Sequence, residues 1–428
     1  MGVASEDTSL ENQAGLRQIP SASDLEVEAV MPIDYQTDDA PAQGVQSATL
    51  SVLRAQRVSS PSVKRLERVI APKELIKLVL MSLLAAYGFG LLGLGALTMM
   101  FFLSHAGVGR DYPSSHGISG MESSRLGGVA ISITLLFYAL SLSASEGIVF
   151  TYTAQHGAAA LAIGFCALLG LVEDVYPDSL APRLRLILKM CLFAGLLIFW
   201  PQLAPSQLGV PGLDSLLSVP FISACLTVIF CVGFVNAVNM SDGANGLVPG
   251  IAAAALWIFA MHYGRMIEVS LLFGCGIFLI FNVISGRFFL GDMGSYGLGA
   301  LLAIYGLFSY SAGDFSAAFL AALFGYPCID FIFSISRRLL ARRSAFSADN
   351  DHLHNRLHAK LKQVIKSRVI ANSMTGLLIS GGSAGIVLCG YSMAWWPPTS
   401  NQWIYLFGLQ IVAYLAVFSA TGRNMSKA

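Results

Sequence analysis

The stretch Asn236-Ala237-Val238-Asn239-Met240-Ser241-Asp242-Gly243-Ala244-Asn245-Gly246-Leu247 sets amides, a carboxylate and two glycines inside an otherwise apolar run. From Phe221 to Val235 there is no charge, and from Leu247 to Met261 there is none either. Each flank therefore suffices for most of a membrane-spanning helix. Asn236 and Asn239 lie one helical turn apart, Asp242 follows three residues later, and Gly243 and Gly246 let the backbone leave the helix. A short polar turn between two spans would need only one or two of these residues. The whole set reads as an active-site loop at a membrane face.

Composition agrees with the flanks. Apolar residues make up 55%, charged residues 12%, and 42 of 428 residues are glycine, which excludes an ordinary soluble domain and points to an all-α polytopic membrane protein. Seven scattered cysteines show neither CxxC spacing nor a His/Cys metal pattern, so they read as packing residues. A net charge of +1 carries no nucleic-acid signature; the bilayer is the expected partner.

Residues 1–74 are polar and mixed in charge, and read as a disordered extension. Within it, 54–77 is basic, with Val63, Leu66, Val69 and Ile70 at helical spacing, which suits a membrane-surface helix or a solvated linker equally. About eleven apolar stretches follow, near 78–103, 126–145, 154–172, 184–200, 217–237, 246–263, 268–285, 293–309, 316–336, 372–393 and 402–420. They define a transmembrane domain over 75–420, with 421–428 a short polar tail. Arginine and lysine concentrate in alternate loops, and the positive-inside rule makes those loops cytoplasmic. Every unusual motif falls in them. Parity then puts the C-terminus inside and the N-terminus outside, whereas the basic segment before the first span argues for an inside N-terminus.

Four further motifs share the cytoplasmic face with the Asn236–Leu247 loop. The first, Arg110-Asp111-Tyr112-Pro113-Ser114-Ser115-His116 with Ser124-Arg125-Leu126-Gly127-Gly128, is weak by itself and reads equally as a topology signal. The second places Glu173 and Asp174 at the end of a span, before Arg183, Arg185 and Lys189. A carboxylate at mid-membrane depth costs about 2.5–3.5 kcal/mol, so this pair wants a proton, a metal ion or the nearby arginines. The third, Phe289-Leu290-Gly291-Asp292-Met293-Gly294-Ser295, holds one carboxylate in a glycine turn; it suits a metal–phosphate pair, or a helix cap. The fourth, Asp351-His352-Leu353-His354-Asn355-Arg356-Leu357-His358, carries three histidines and an arginine without cysteine, which favours phosphate over a transition metal. A solvated basic loop is the alternative. Asp330, one or two turns before Arg337 and Arg338, reads as a structural partner. Acidic clusters and a His/Arg cluster on one face describe a Mg2+-dependent site for phosphate esters, with Mn2+ able to substitute.

These motifs, in this order, resemble the polyprenyl-phosphate N-acetylhexosamine-1-phosphate transferases over roughly 75–420. The resemblance implies transfer of an N-acetylhexosamine 1-phosphate from a UDP-sugar to undecaprenyl phosphate, with release of UMP, at the cytoplasmic side of a bacterial inner membrane. It implies that Asp292 and Asn239 hold Mg2+, that Phe289 stacks on uracil, and that His352, His354 and Arg356 neutralise the pyrophosphate. Glu173 and Asp174 become bases acting on the lipid phosphate. Asp242 joins the catalytic set, and Asn236, His116 and Arg125 the substrate-binding set. The HxH form of the last motif resembles the polysaccharide-initiating branch, whose products include O-antigen and exopolysaccharide, with N-acetylglucosamine as the expected sugar. A homodimer is open.

The chain departs from the family pattern at three places. Glu173-Asp174 stands for Asp-Asp, which changes reach. Asn245 replaces a second aspartate, removing a charge and offering a hydrogen bond to uracil. The first loop lacks Asn-Glu-Arg before Ser114, and Ser124 replaces proline, which leaves one phosphate-binding arginine unaccounted for. The rival class is a transporter of anionic or lipid-linked sugars, since intramembrane carboxylates and glycine-broken helices also mark transporters. A transporter would carry polar residues near mid-membrane in both halves; here they gather on one face.

Overall fold

The computed structural model describes residues 72–106, 108–111, 123–146, 153–344 and 350–422. The extension before Pro72, the motif Ser114-Ser115-His116 and the tail after 422 lie outside the described residues. Fifteen α-helices occupy the described chain: α1 (Pro72–Ser104), α2 (Gly127–Glu146), α3 (Ala154–Val175), α4 (Pro182–Phe199), α5 (Leu213–Leu217), α6 (Pro220–Ser241), α7 (Leu247–Tyr263), α8 (Met266–Ser285), α9 (Gly291–Ser311), α10 (Ala317–Leu323), α11 (Gly325–Leu340), α12 (Leu353–Val364), α13 (Arg368–Ser380), α14 (Ile386–Ser392) and α15 (Trp403–Gly422). Among the described residues, the departures from helix and loop are a two-residue antiparallel ladder, β1 (Arg110–Asp111) with β2 (Ser123–Ser124), and an isolated bridge from Ser124 to Phe288.

Every apolar stretch expected from the sequence falls on a helix. Among the described residues, six helices or helix runs can cross a membrane by length and composition: α1 from Leu75, α3, α6, α8, α13 through α14, and α15. A seventh appears if α10 and α11, bent by 79° at their break, count as one span. The shortfall against eleven has a physical cause. α4 carries Arg183, Arg185 and Lys189, α9 is diluted by glycine and serine, α7 has only 17 residues, and the apolar part of α2, Gly127–Ser141, is likewise short.

Helix ends follow from local chemistry. Pro220 occupies the first turn of α6, where a missing N–H costs nothing. Gly264 (φ 63°) ends α7 and Gly286 (φ 63°) ends α8, each in the left-handed conformation that closes a helix. α9 lies between α3, α6 and α2, and its small residues let the neighbours approach: Gly297 faces Ala167 of α3, and Gly299 faces Val235 and Val238 of α6. Behind the start of α9, Phe278, Phe281 and Phe288 are each at most 2% exposed and pack edge or tilted at 5.5–5.7 Å, anchoring the loop that leads into it.

Candidate active site

The loop before α9 is stitched to the loop before α2 by backbone hydrogen bonds. Ser124 N–H donates to Arg287 O (3.0 Å), Phe289 N–H to Ser124 O (2.8 Å), Gly127 N–H to Phe289 O (3.0 Å) and Gly128 N–H to Leu290 O (2.8 Å). The weak-looking Ser124–Gly128 motif is therefore a scaffold strand for the Phe289–Ser295 motif. Along this strand Phe288 and Leu290 point into the core at 0% and 1% exposure. Phe289, between them, is partly exposed, as pleat alternation requires. Gly291 turns the chain into α9 with φ 74°, and a side chain there would strike the Arg125 carbonyl.

Asp174, at the end of α3, reaches across to that turn. Its two carboxylate oxygens accept the backbone N–H groups of Asp292 (2.9 Å) and Met293 (2.8 Å). α3 and α9 can come this close because residue 170 is glycine; a Cβ there would strike the Asp292 backbone. Glu173 turns the other way. Its Oε1 pairs with Arg185 (3.1 Å) and accepts the Asp178 amide (3.1 Å), while its Oε2 is buried without a hydrogen-bond partner. The pairing of this acid with an arginine, one of the two readings open from sequence, is thus present at one of its two oxygens. Arg185 also lies 3.9 Å from Asp292 Oδ2, so one guanidinium spans the second and third motifs.

The Asn236–Leu247 loop closes the third side. Asp242 follows α6 and is partly buried beside the same turn. Burial, then the Asp292 and Asp174 carboxylates, push its carboxyl up to about 8, against a hydrogen bond from the Gly291 amide and the field of Arg125. Asn239 Oδ1 accepts the Ser295 hydroxyl (2.6 Å), which ties it to the first turn of α9. Asn236 Oδ1 accepts Lys189 Nζ (2.5 Å). Asn245 is 3% exposed; its N–H donates to Asn372 (3.2 Å) and its Nδ2 to Ser373 (3.5 Å), while its Oδ1 is buried with no hydrogen-bond partner. Asn282 bridges two loops, accepting the Gly246 N–H (2.7 Å) and donating to Phe288 O (2.7 Å).

The last motif meets this loop edge-on. His354 is 3% exposed, its Nε2 lies against Gly243, where a Cβ would strike it, and its Nδ1 contacts Tyr326 Oη (3.1 Å). Burial lowers its pKa to about 4, Asp330 opposing and His352 and His358 adding to the fall, so at pH 7 the ring is neutral. The expected cation at 354 is instead a hydrogen-bonding group. His352 stacks on it (5.4 Å, 6° between planes) and is held by Asp330. Arg356 is engaged in structure: its guanidinium makes a two-point bond to Asp351 (2.5 and 2.8 Å), donates to Phe418 O (3.1 Å) and lies 3.7 Å over the Phe418 ring, binding α12 to α15. His116 lies outside the described residues. Arg125 brings its positive field to Asp174, Asp242 and Asp292.

Sequence reasoning missed Lys189 as a site residue. It is 1% exposed, lies 4.1 Å over the Tyr296 ring and bonds Asn236. Its signal was a lone lysine inside the apolar run of α4. Arg185 was among the arginines that the sequence offers as partners of Glu173 and Asp174, but not as a group that also reaches Asp292.

No three His, Cys, Asp or Glu side chains among the described residues form a ready ligand set. Mg2+ does not need one, because it binds through one or two carboxylates and completes its shell with water and phosphate oxygens. Burial does most to raise Asp242, and the Asp292 and Asp174 carboxylates add to it, which marks a surplus of negative charge beside Asp292; Asn239 adds a hard oxygen. These residues fit a divalent cation.

A profile of glycosyl transferase family 4 matches residues 156–310. The chain is similar to a probable undecaprenyl-phosphate N-acetylglucosaminyl 1-phosphate transferase of Bacillus subtilis, at 28% identity over 58% of this chain and 69% of that one. It is similar to an undecaprenyl-phosphate alpha-N-acetylglucosaminyl 1-phosphate transferase of Thermotoga maritima, at 28% over 59% and 73%. It is also similar to a phospho-N-acetylmuramoyl-pentapeptide-transferase of Deinococcus radiodurans, at 31% over 47% and 67%.

Proposed function

This chain belongs to glycosyl transferase family 4, among the polyprenyl-phosphate N-acetylhexosamine-1-phosphate transferases, and from that membership we propose a specific reaction. An N-acetylhexosamine 1-phosphate, N-acetylglucosamine first among candidates, passes from its UDP-sugar to undecaprenyl phosphate. UMP leaves, and the lipid-linked sugar initiates a cell-surface polysaccharide. The reaction takes place at the cytoplasmic face of a bacterial inner membrane.

The observation that carries this reading is the convergence of the described motifs around the turn into α9. Asp174, Asp242 and Arg125 lie about Asp292, with Arg185 at 3.9 Å. The reaction breaks the bond between the sugar-bearing phosphorus and the UMP oxygen while an oxygen of the lipid phosphate bonds to that phosphorus. Little covalent work falls to the protein, so its contribution is placement and charge. Asp292, Asn239 and Asp242 would hold Mg2+, which when bound neutralises the donor pyrophosphate. Glu173, with one oxygen on Arg185 and the other unpartnered, is the carboxylate able to accept a proton from the lipid phosphate. Asp174 has both oxygens on backbone amides and holds the Asp292 turn in place. Phe289, partly exposed beside the carboxylates, offers an aromatic face to the uracil ring, and the orphaned Asn245 Oδ1 an acceptor for its N–H.

The test is direct. Purified protein supplied with undecaprenyl phosphate, Mg2+ and a panel of UDP-N-acetylhexosamines should release UMP and form one lipid-linked product. Absence of UMP with every donor would refute the reading, and counterflow of labelled sugar in proteoliposomes without UMP would replace it with transport.

A further inference from the structure

α11 carries three side chains that meet the two rings of the His352-Leu353-His354 segment, and the two rings are gripped by chemically different groups. Asp330, 0% exposed, accepts from His352 Nδ1 at 2.6 Å; it also accepts the Leu353 backbone N–H at 3.2 Å and the Tyr414 hydroxyl of α15 at 2.8 Å. Ser334, one turn along α11, lies 3.3 Å from the same Nδ1. Tyr326, one turn the other way, meets His354 Nδ1 at 3.1 Å. A carboxylate can only accept, so His352 Nδ1 must carry a proton; a phenol can donate or accept and leaves His354 unconstrained. The rings are parallel within 6° and both are gripped by Nδ1 from α11. His354 Nε2 lies against Gly243 of the Asp242–Gly246 loop, and the His352 ring is stacked on His354 beside it.

We propose that Asp330 is a positioning residue of the transferase: it fixes the tautomer and direction of His352, so that Nε2 of that ring is aimed at the phosphates of the sugar nucleotide. This rests on the transferase reading above. With Nδ1 committed to Asp330, any contact of the ring with substrate passes through Nε2. The same carboxylate holds the Leu353 amide, so the ring and the first residue of α12 move as one body. Tyr414 ties that body to α15. From sequence Asp330 reads as a partner of Arg337 and Arg338; the packed structure gives it His352 instead. Outer groups that orient a working imidazole typically cost about 10–100-fold in activity when removed.

The full chain tests this with Asp330→Asn, His352→Gln and the double variant, each followed by UMP release and by melting in detergent. An asparagine keeps an acceptor for Leu353 and Tyr414 but sets an N–H2 group against Nδ1, which moves the ring proton to Nε2. The expected result is a kcat lowered about 10–100-fold with KM for the UDP-sugar nearly constant, and a double variant no slower than His352→Gln alone. Losses that multiply in the double variant, or an unchanged kcat in Asp330→Asn, overturn the proposal. Histidine-selective 15N spectra of the wild-type chain give a second measure that does not depend on the variant folding. With the His352 signal assigned by its loss in His352→Gln, Nδ1 should read as protonated, and a ring protonated only on Nε2 overturns the proposal. Wild-type protein that releases no UMP refutes the transferase reading instead, and the 15N result, read without substrate, still judges the Asp330–His352 pair.

Discussion

Asp174 and Asp292 meet through the backbone of one and the side chain of the other: the Asp174 carboxylate accepts the Asp292 N–H at 2.9 Å and the next amide at 2.8 Å. The side chain that sequence assigns to proton transfer thus also builds the turn that carries the neighbouring carboxylate. On sequence alone, Asp174→Asn would slow the chemistry and spare donor binding; this geometry predicts that both suffer.

Asp174→Asn sets an N–H2 donor against one of the two amides and leaves the other a neutral acceptor, a loss of about 1–3 kcal/mol. The variant should melt lower and bind Mg2+ and UDP-sugar more weakly, as well as turn over slowly. Glu173→Gln should melt near wild type and bind normally, with kcat lower by about 10²–10⁴-fold. Melting curves and calorimetric titrations separate the two; normal binding in Asp174→Asn with lost binding in Glu173→Gln would reverse the assigned roles.

Asp292→Asn keeps the shape of the turn and removes its charge. UMP release should collapse, and the Mg2+ concentration giving half-maximal residual rate should rise. A variant with wild-type Mg2+ dependence would remove Asp292 from the metal site.

Gly170→Ala places a methyl group against the Asp292 backbone, which has no side chain to swing aside. Overpacking of this kind costs about 1–3 kcal/mol. A displacement of the turn by about 1 Å would lower kcat near 10²-fold. Alanine at Gly157, which nothing faces within 4 Å, is the matched control and should leave both rate and melting temperature unchanged.

His354 is held neutral by burial, with its pKa near 4 against 6.5 for a free side chain. Below pH 6.5 the unfolded chain takes up a proton that the folded chain refuses, so this contribution is fully present above pH 6.5 and is lost as pH falls toward 4. The shift corresponds to roughly 3 kcal/mol. The fall in melting temperature between pH 6.5 and 4.5 should therefore be smaller in His354→Gln than in wild type. Parallel curves would show that the ring is protonated in the folded protein.

Much of the site was legible because chemistry stands out in a charge-poor chain. The Asn236–Leu247 loop, Glu173-Asp174 and Asp292 could be picked out by contrast alone, and the structure brings them together. What sequence hid was pairing at a distance. Ser124 looked like part of a topology signal, because its bond to the Phe288 strand spans far more chain than any local pattern reports. Asp330 had two arginines about two turns away on its own helix, yet its partner came from another element. Arg356 read as a phosphate ligand from its company of histidines, and packing against Phe418 of α15 claimed it. The span count fell short for a related reason: α4 and α9 carry polar groups that serve the site, and those groups erase the hydropathy signal of the helices that bear them.

The hydrogen bonds from Asp174 to the α9 turn join residues 118 positions apart, and they bear on biogenesis. α3 leaves the ribosome and enters the bilayer long before α9 exists, and the His352 segment follows later still. Until then Asp174 has no turn to brace and Asp292 has not been made. A nascent chain halted at any earlier point lacks either the braced turn or the His352 segment, so the candidate site is assembled only after α12 has been made.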